Sequence, residues 1–239
     1  MKQVAILGLG HFGRSILDEL IDLKVEVFIV DKDREIIDLY KDAAVHAVIA
    51  DILSIENLRK ILPESTNAVI IDMGSKMEAS ILAASYCSKL HIKTIIAKAE
   101  TEAQGEILEL VGATKVVFPN REAAKRITPL LLSDTLLSYM PVSAKLSLAE
   151  LAIPEKLVGK KLVEAELRTK YNLNLISIRN GTSEEFSSCA PSYVFEQGDI
   201  GLFSGTDEAL NSFNITTTRT FEDYPKYLAE QFLKLFRRK

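Results

Sequence analysis

No run of about eighteen apolar residues occurs in the 239-residue chain, so no segment is suited to cross a bilayer as a helix. Cysteine is almost as scarce. Cys87 and Cys189 lie far apart and form no C-x-x-C pair, a usage that fits a reducing compartment. His11, His46 and His91 are the only histidines, and none has the i, i+4 spacing of a helical metal site or a cysteine beside it, so no metal is expected. Charge of one sign is not in excess either: the net charge of −4 argues against a general nucleic-acid binder. Internal repeats and low-complexity tracts are lacking. The apolar opening is broken by Gly8, Gly10 and His11 and preceded by one lysine, so it does not read as a signal peptide. The glycosylation-like triplets Asn180-Gly181-Thr182 and Asn214-Ile215-Thr216 therefore read as turns. What remains is an ordinary soluble composition, long enough for one large or two modest domains.

What is present begins at once. Val4-Ala5-Ile6-Leu7 runs into Gly8-Leu9-Gly10-His11-Phe12-Gly13, an amphipathic segment follows, and Val27-Phe28-Ile29-Val30 ends in Asp31. A strand, a G-x-G-x-x-G turn, a helix and a second strand ending in an acid form the fingerprint of a nucleotide-binding unit. Gly8 is expected to make the tight turn, Gly10 to let the backbone approach a pyrophosphate, and Gly13 to let the helix pack on the sheet. The helix aims free N–H groups at the phosphates, and Asp31 is placed to accept hydrogen bonds from ribose hydroxyls. The competing reading is a glycine-rich turn whose site is empty.

Apolar runs and helical patterns then alternate. Helices are expected at 15–24, with Leu23 on the apolar face, and at 33–40, with Ile36, Ile37 and Leu39 inward; Ser54 caps a third, stopped by Pro63. Further strands are expected at 47–49, 68–71, 94–97 and 116–118, with helices at 76–90 and 102–111 and a long helical stretch from Pro119 toward Tyr139. Continuously apolar strands signal a parallel sheet covered on both faces. The fold class is α/β: a Rossmann doubly wound sheet over 1–138, then a small α+β domain over 142–213, then a linker and amphipathic basic helix over 214–239. That last helix, ending Phe236-Arg237-Arg238-Lys239, either docks on a partner or anionic surface or covers an apolar face of its own protein.

Asp72-Met73-Gly74-Ser75, after the fourth strand, is the next crevice position. Lys98, after the fifth, either reaches a phosphate or is a solvated strand-end lysine, and Asp51 either bonds an adenine edge or caps the next helix. The second domain shows no clustered acid, base or nucleophile and is small for a substrate domain, which points from an enzyme toward a nucleotide sensor. The alternative is a small NAD(P)-dependent oxidoreductase; a third reading is a ring-forming scaffold with an empty site.

The glycine turn, Val30-Asp31, Ala50-Asp51, Lys98-Ala99 and Leu157-Val158-Gly159-Lys160-Lys161-Leu162 together resemble the Trk/Ktr family over roughly residues 1–213. These are cytosolic regulatory subunits of bacterial potassium uptake, built from RCK domains. The resemblance implies a homo-oligomeric, dimer-based ring, cytoplasmic and peripheral at the inner face of the membrane, beneath a potassium-translocating subunit of TrkH or KtrB type. It implies ATP, ADP or NAD(H) at Gly8, Gly10, His11, Phe12, Gly13, Asp31, Lys32, Asp51, Ile52, Gly74 and Lys98. It also implies that the helix after Pro119 helps pair protomers. In some members the C-terminal domains bind cyclic di-AMP, and Ile176, Arg179 and Pro191 fall in that region. Two residues depart from the ATP-preferring pattern. His11 stands where arginine holds the terminal phosphate, with Arg14 one turn on. Asn120 stands where glutamate lies near a divalent cation, with Glu122 two residues on.

Overall fold

The six apolar runs of the first half form one sheet in the computed structural model, which describes residues 3–52 and 55–214. The chain runs through β1 (Gln3–Leu7), α1 (His11–Asp22), β2 (Glu26–Asp31), α2 (Arg34–Tyr40), β3 (His46–Ile49), α3 (Ile55–Ile61) and β4 (Thr66–Ile71). It continues with α4 (Met77–Lys89), β5 (Thr94–Lys98), α5 (Glu102–Leu110), β6 (Lys115–Val117) and α6 (Pro119–Ile127). The strand order is β3-β2-β1-β4-β5-β6, and every neighbouring pair is parallel. This is the doubly wound sheet that the strand-helix alternation predicts.

Both faces are apolar because side chains alternate across each strand. Ala5, Leu7, Val30, Val69, Ile71 and Ile95 pack against Leu58 of α3, Ala83 and Cys87 of α4 and Leu108 of α5. Ile6, Ile29 and Ile70 point to the other face, against Leu17 of α1 and Ile37 of α2. Leu23 and Leu39, expected inward, are each 72% exposed. Leu23 lies just past the end of α1. Leu39 is two positions beyond buried Ile37, about 200° round the helix. The Ser54 cap lies outside the described residues.

The helical stretch expected from Pro119 to Tyr139 is shorter than the sequence suggested. α6 stops at Ile127, a 3₁₀ turn covers Thr128–Leu132, and the chain then enters β7 (Leu136–Ser143). Pro129 explains the stop: it has no N–H to donate and disfavours helical backbone at Thr128.

By compactness the chain divides into Met1–Glu122 and Ala123–Lys239. The second unit holds β7, β8 (Leu146–Ala152), α7 (Leu167–Tyr171), β9 (Asn174–Asn180), β10 (Asp199–Gly205) and α8 (Asp207–Asn214). Its antiparallel sheet has the order β7-β8-β10-β9, which puts Pro141 on an edge strand, where a missing N–H is tolerated. Leu151, Leu173, Phe195, Phe203 and Phe213 centre its core. Asp199 is buried at the start of β10, its Oδ2 accepting from the Tyr193 hydroxyl and the Glu196 amide, each at 2.8 Å. Asn180 Oδ1 accepts from the Thr182 amide at 3.2 Å, so that triplet is a turn, as its sequence implied. Beyond Asn214, the expected linker and basic helix lie outside the described residues.

Candidate functional site

Strand order reverses at β1, which lies between β2 and β4, so the loops after these strands diverge and leave a crevice at their C-terminal ends. A cleft of about 350 Å³ opens there. The glycine turn forms its floor. Gly8 has φ +85°, and a Cβ there would overlap the Asp72 carbonyl. A Cβ on Gly13 would lie 2.6 Å from the Gly8 carbonyl oxygen and 3.3 Å from Ile6, so α1 sits as close to β1 as the backbone allows. Both glycines do what the sequence assigned them.

Asp31 holds the turn together. Its Oδ2 accepts from the Leu9 amide at 2.7 Å and its Oδ1 from the Asp33 amide at 2.9 Å. The carboxylate expected to meet ribose is thus pinned at the cleft wall by two backbone donors, with lone pairs left for further donors. Asp33 in turn caps α2, its Oδ1 accepting from Glu35 at 2.9 Å.

Asp72 stands at the second crevice position, as its place after the fourth strand implies. It follows β4, its amide donates to Leu7 at 2.9 Å, and only 1% of it is exposed. Oδ2 accepts from the Gly13 amide at 2.9 Å, Oδ1 from the Gly74 amide at 3.3 Å, and Lys98 Nζ pairs with Oδ1 at 3.3 Å. A Cβ on Gly10 would strike this carboxyl group, 2.7 Å from Oδ1. Gly10, expected to let the backbone approach a pyrophosphate, lines the cleft, and its missing side chain also leaves room for the Asp72 carboxylate. Lys98, 16% exposed at its side chain, pairs with Asp72, which lines the cleft, and reaches Glu100 at 3.6 Å. The signal for Asp72 was topological, because the end of β4 must adjoin the turn after β1 once β1 and β4 pair.

Gly8, Gly10, Asp31, Lys32, Asp51, Ile52 and Gly74 all line the cleft. His11, Phe12, Gly13 and Lys98 do not. His11 is exposed at the first position of α1, and Phe12 packs against the α1–α2 face of the sheet. Their amides belong to the first turn of α1, whose N-cap is Gly10. Lys32 and Lys76 both line the cleft, and the neighbouring Lys32 ammonium holds the Lys76 ammonium below its usual range. Among the described residues, no group of three or more His, Cys, Asp or Glu side chains is placed to hold a metal ion.

In the second unit, Arg179 lines a separate cavity of about 410 Å³ with Glu150, Thr182 and Phe186. Its guanidinium pairs with Glu150 at 3.1 Å, donates to the Ser183 carbonyl at 2.9 Å and lies 5.3 Å from the Phe186 ring centroid. Ile176, 49% exposed, and Pro191 do not line this cavity.

Residues 4–119 match the TrkA-N domain and residues 147–214 the TrkA-C domain. The chain is 32% identical over 212 residues to the Ktr system potassium uptake protein C of Bacillus subtilis (strain 168), covering 89% of this chain and 96% of that one. Ktr system potassium uptake protein A of the same strain is 29% identical over 212 residues, with 89% and 95% covered. A solved structure described as the GsuK channel bound to NAD is similar in fold, with a TM-score of 0.63 at 19% identity, covering 93% of this chain. This chain spans 40% of that longer one.

Proposed function

The chain belongs to the Ktr potassium uptake protein family, built from TrkA-N and TrkA-C domains, and on that premise we propose that it is the nucleotide-responsive regulatory subunit of a potassium uptake system. The observation that carries this reading is the cleft at the β1/β4 switch point. There a glycine turn, the N-terminus of α1 and the Asp31 carboxylate converge in a chain aligned over nearly its whole length with Ktr proteins. NAD(H), ATP or ADP binds there. Asp31 takes the ribose hydroxyls, Asp51 and Ile52 border the adenine, and the amides of His11 and Phe12 meet the phosphates. Gly8, Gly10, Gly13, Lys32, Gly74 and Lys98 complete or support the site.

The protein performs no catalysis. It acts on a membrane partner of TrkH or KtrB type at the cytoplasmic face, as a dimer-based ring of the nucleotide-binding domains 1–138, with 142–213 as the second domain. Nucleotide binding shifts the ring between shapes only as far as the ligand's affinities for the two shapes differ. Cyclic di-AMP at a dimer interface near Ile176, Arg179 and Pro191 belongs to the same reading. Among the described residues no helix is long and apolar enough to cross a membrane. Calorimetric titration of the purified chain with NAD+, NADH, ATP and ADP tests the sensor, and co-purification with a co-expressed multi-span subunit tests the partner. Failure of every nucleotide to bind below about millimolar, where binding is worth only about 4 kcal/mol, refutes the sensing role.

A further inference from the structure

β8 buries Ser147, Ala149 and Leu151, so by strand alternation Leu146, Leu148 and Glu150 stand on the opposite face of the antiparallel sheet. Met140 of β7 lies across from Leu148, and Val142 sits beside Leu146 at the bulge between Pro141 and Ser143. Met140, Val142 and Leu146 are 41%, 54% and 41% exposed. Toward β9 the same face is closed, because Glu150 pairs with Arg179 and the Phe186 ring lies over the Arg179 guanidinium. The β7–β8 end is apolar and, among the described residues, open. A contiguous apolar surface of this kind marks an interaction site.

The chain carries a candidate occupant. Residues 224–239 hold Tyr224, Tyr227, Leu228, Phe232, Leu235 and Phe236 at helical spacing, with Lys226, Lys234 and Arg237 on the other side of that spacing. The TrkA-C match ends at residue 214, so this stripe is additional to that domain. Residues 215–223 join it to α8, a reach of up to about 30 Å. Phe213, near the end of α8, packs on Phe203 of β10 with ring centroids 5.0 Å apart. From β10 the edge strand β7 is two strands away, about 10 Å, and passing to the other face adds about 10 Å more. The link is long enough. Tethering on so short a link holds the segment at about millimolar effective concentration, ahead of a free partner of equal affinity.

We propose that the face of β7 and β8 carrying Met140, Val142, Leu146 and Leu148 is the docking surface for this chain's own residues 224–239, which cover it through their apolar stripe. The chain contains no tryptophan, so Phe232→Trp in the full chain reports on this segment alone. Its fluorescence is expected to lie blue of a solvated indole at every protein concentration, and to move red when Val142→Glu or Leu146→Glu is added. Leu39→Glu, at a position 72% exposed on the first unit, is expected to leave it unmoved. Val142→Ser and Leu146→Ser, expected to shift it in the same direction, replace any charged variant that loses its native circular dichroism. A solvated emission in the full chain overturns the proposal, as does a blue emission indifferent to the face variants. A blue shift that grows with protein concentration overturns it in favour of a second copy of the chain. One that needs added phosphatidylglycerol vesicles overturns it in favour of an anionic membrane.

Discussion

Gly10 and Asp72 are two sides of one packing choice: a side chain given up on the turn makes room for a carboxyl arriving from β4. Gly10→Ala should therefore destabilise the chain by about 1–3 kcal/mol through overpacking. In an Asp72→Ala background, where the obstacle is gone, that cost should shrink by more than about 0.5 kcal/mol. Chemical denaturation of the four chains of this double-mutant cycle measures the coupling, and strict additivity would mean that the two residues do not meet. Asp31 has two tasks, since it holds the Leu9 amide and faces the cleft. Asp31→Ala should weaken NAD+ binding by about 1.5–3 kcal/mol, the usual range for a hydrogen bond to a charged group. Unchanged affinity by calorimetry would leave Asp31 with the turn alone.

Helix ends and strand starts carry their own tests. Thr101 accepts from the Gln104 amide at the head of α5, at 3.2 Å, and Thr101→Ala should cost about 1 kcal/mol as a lost N-cap, visible in the denaturation midpoint. At the start of β10, burial and then the hydrogen bond to Asp199 push the Tyr193 hydroxyl up to about 12. A raised pKa of this kind favours the neutral form in the folded state. Its contribution is complete below the ordinary tyrosine value of about 10 and is lost as pH climbs toward 12. Tyr193→Phe should lower stability at pH 8 and flatten the decline between pH 10 and 12, which denaturant midpoints across that range would record.

The elements were legible because a doubly covered parallel strand is apolar on both sides and reads as an unbroken run, as in Val69-Ile70-Ile71. The long helix toward Tyr139 was overread because Leu130-Leu131-Leu132 looks helical in isolation, whereas the break is set by Pro129. The cleft residues on the glycine turn and at Asp31 follow from local spacing. Asp72 does not. Whether a strand-end carboxylate turns inward depends on the strand beside it, and the amide that Asp72 meets lies 59 residues away in the chain.

For the whole molecule, a ligand held by the folded chain alone stabilises it by RT ln(1 + [L]/Kd), about 2.7 kcal/mol at a hundredfold excess over Kd. Saturating NAD+ should raise the melting temperature of wild type, and Asp31→Ala should lose most of that rise at the same concentration. Thermal unfolding followed by circular dichroism compares the two, and an equal rise in both would place the ligand away from the β1/β4 crevice.

The Gly13–Asp72 hydrogen bond also bears on how the chain reaches its native state. The first strand-helix-strand unit contains the whole glycine fingerprint, yet the carboxylate that completes the turn arrives only when β4 docks beside β1, across a loop of 59 residues. Parallel pairing at such separation closes slowly, because loop entropy is lost before any contact forms. The crevice is thus expected to assemble late in folding, and the return of nucleotide affinity in a refolding experiment should lag behind the return of helix signal.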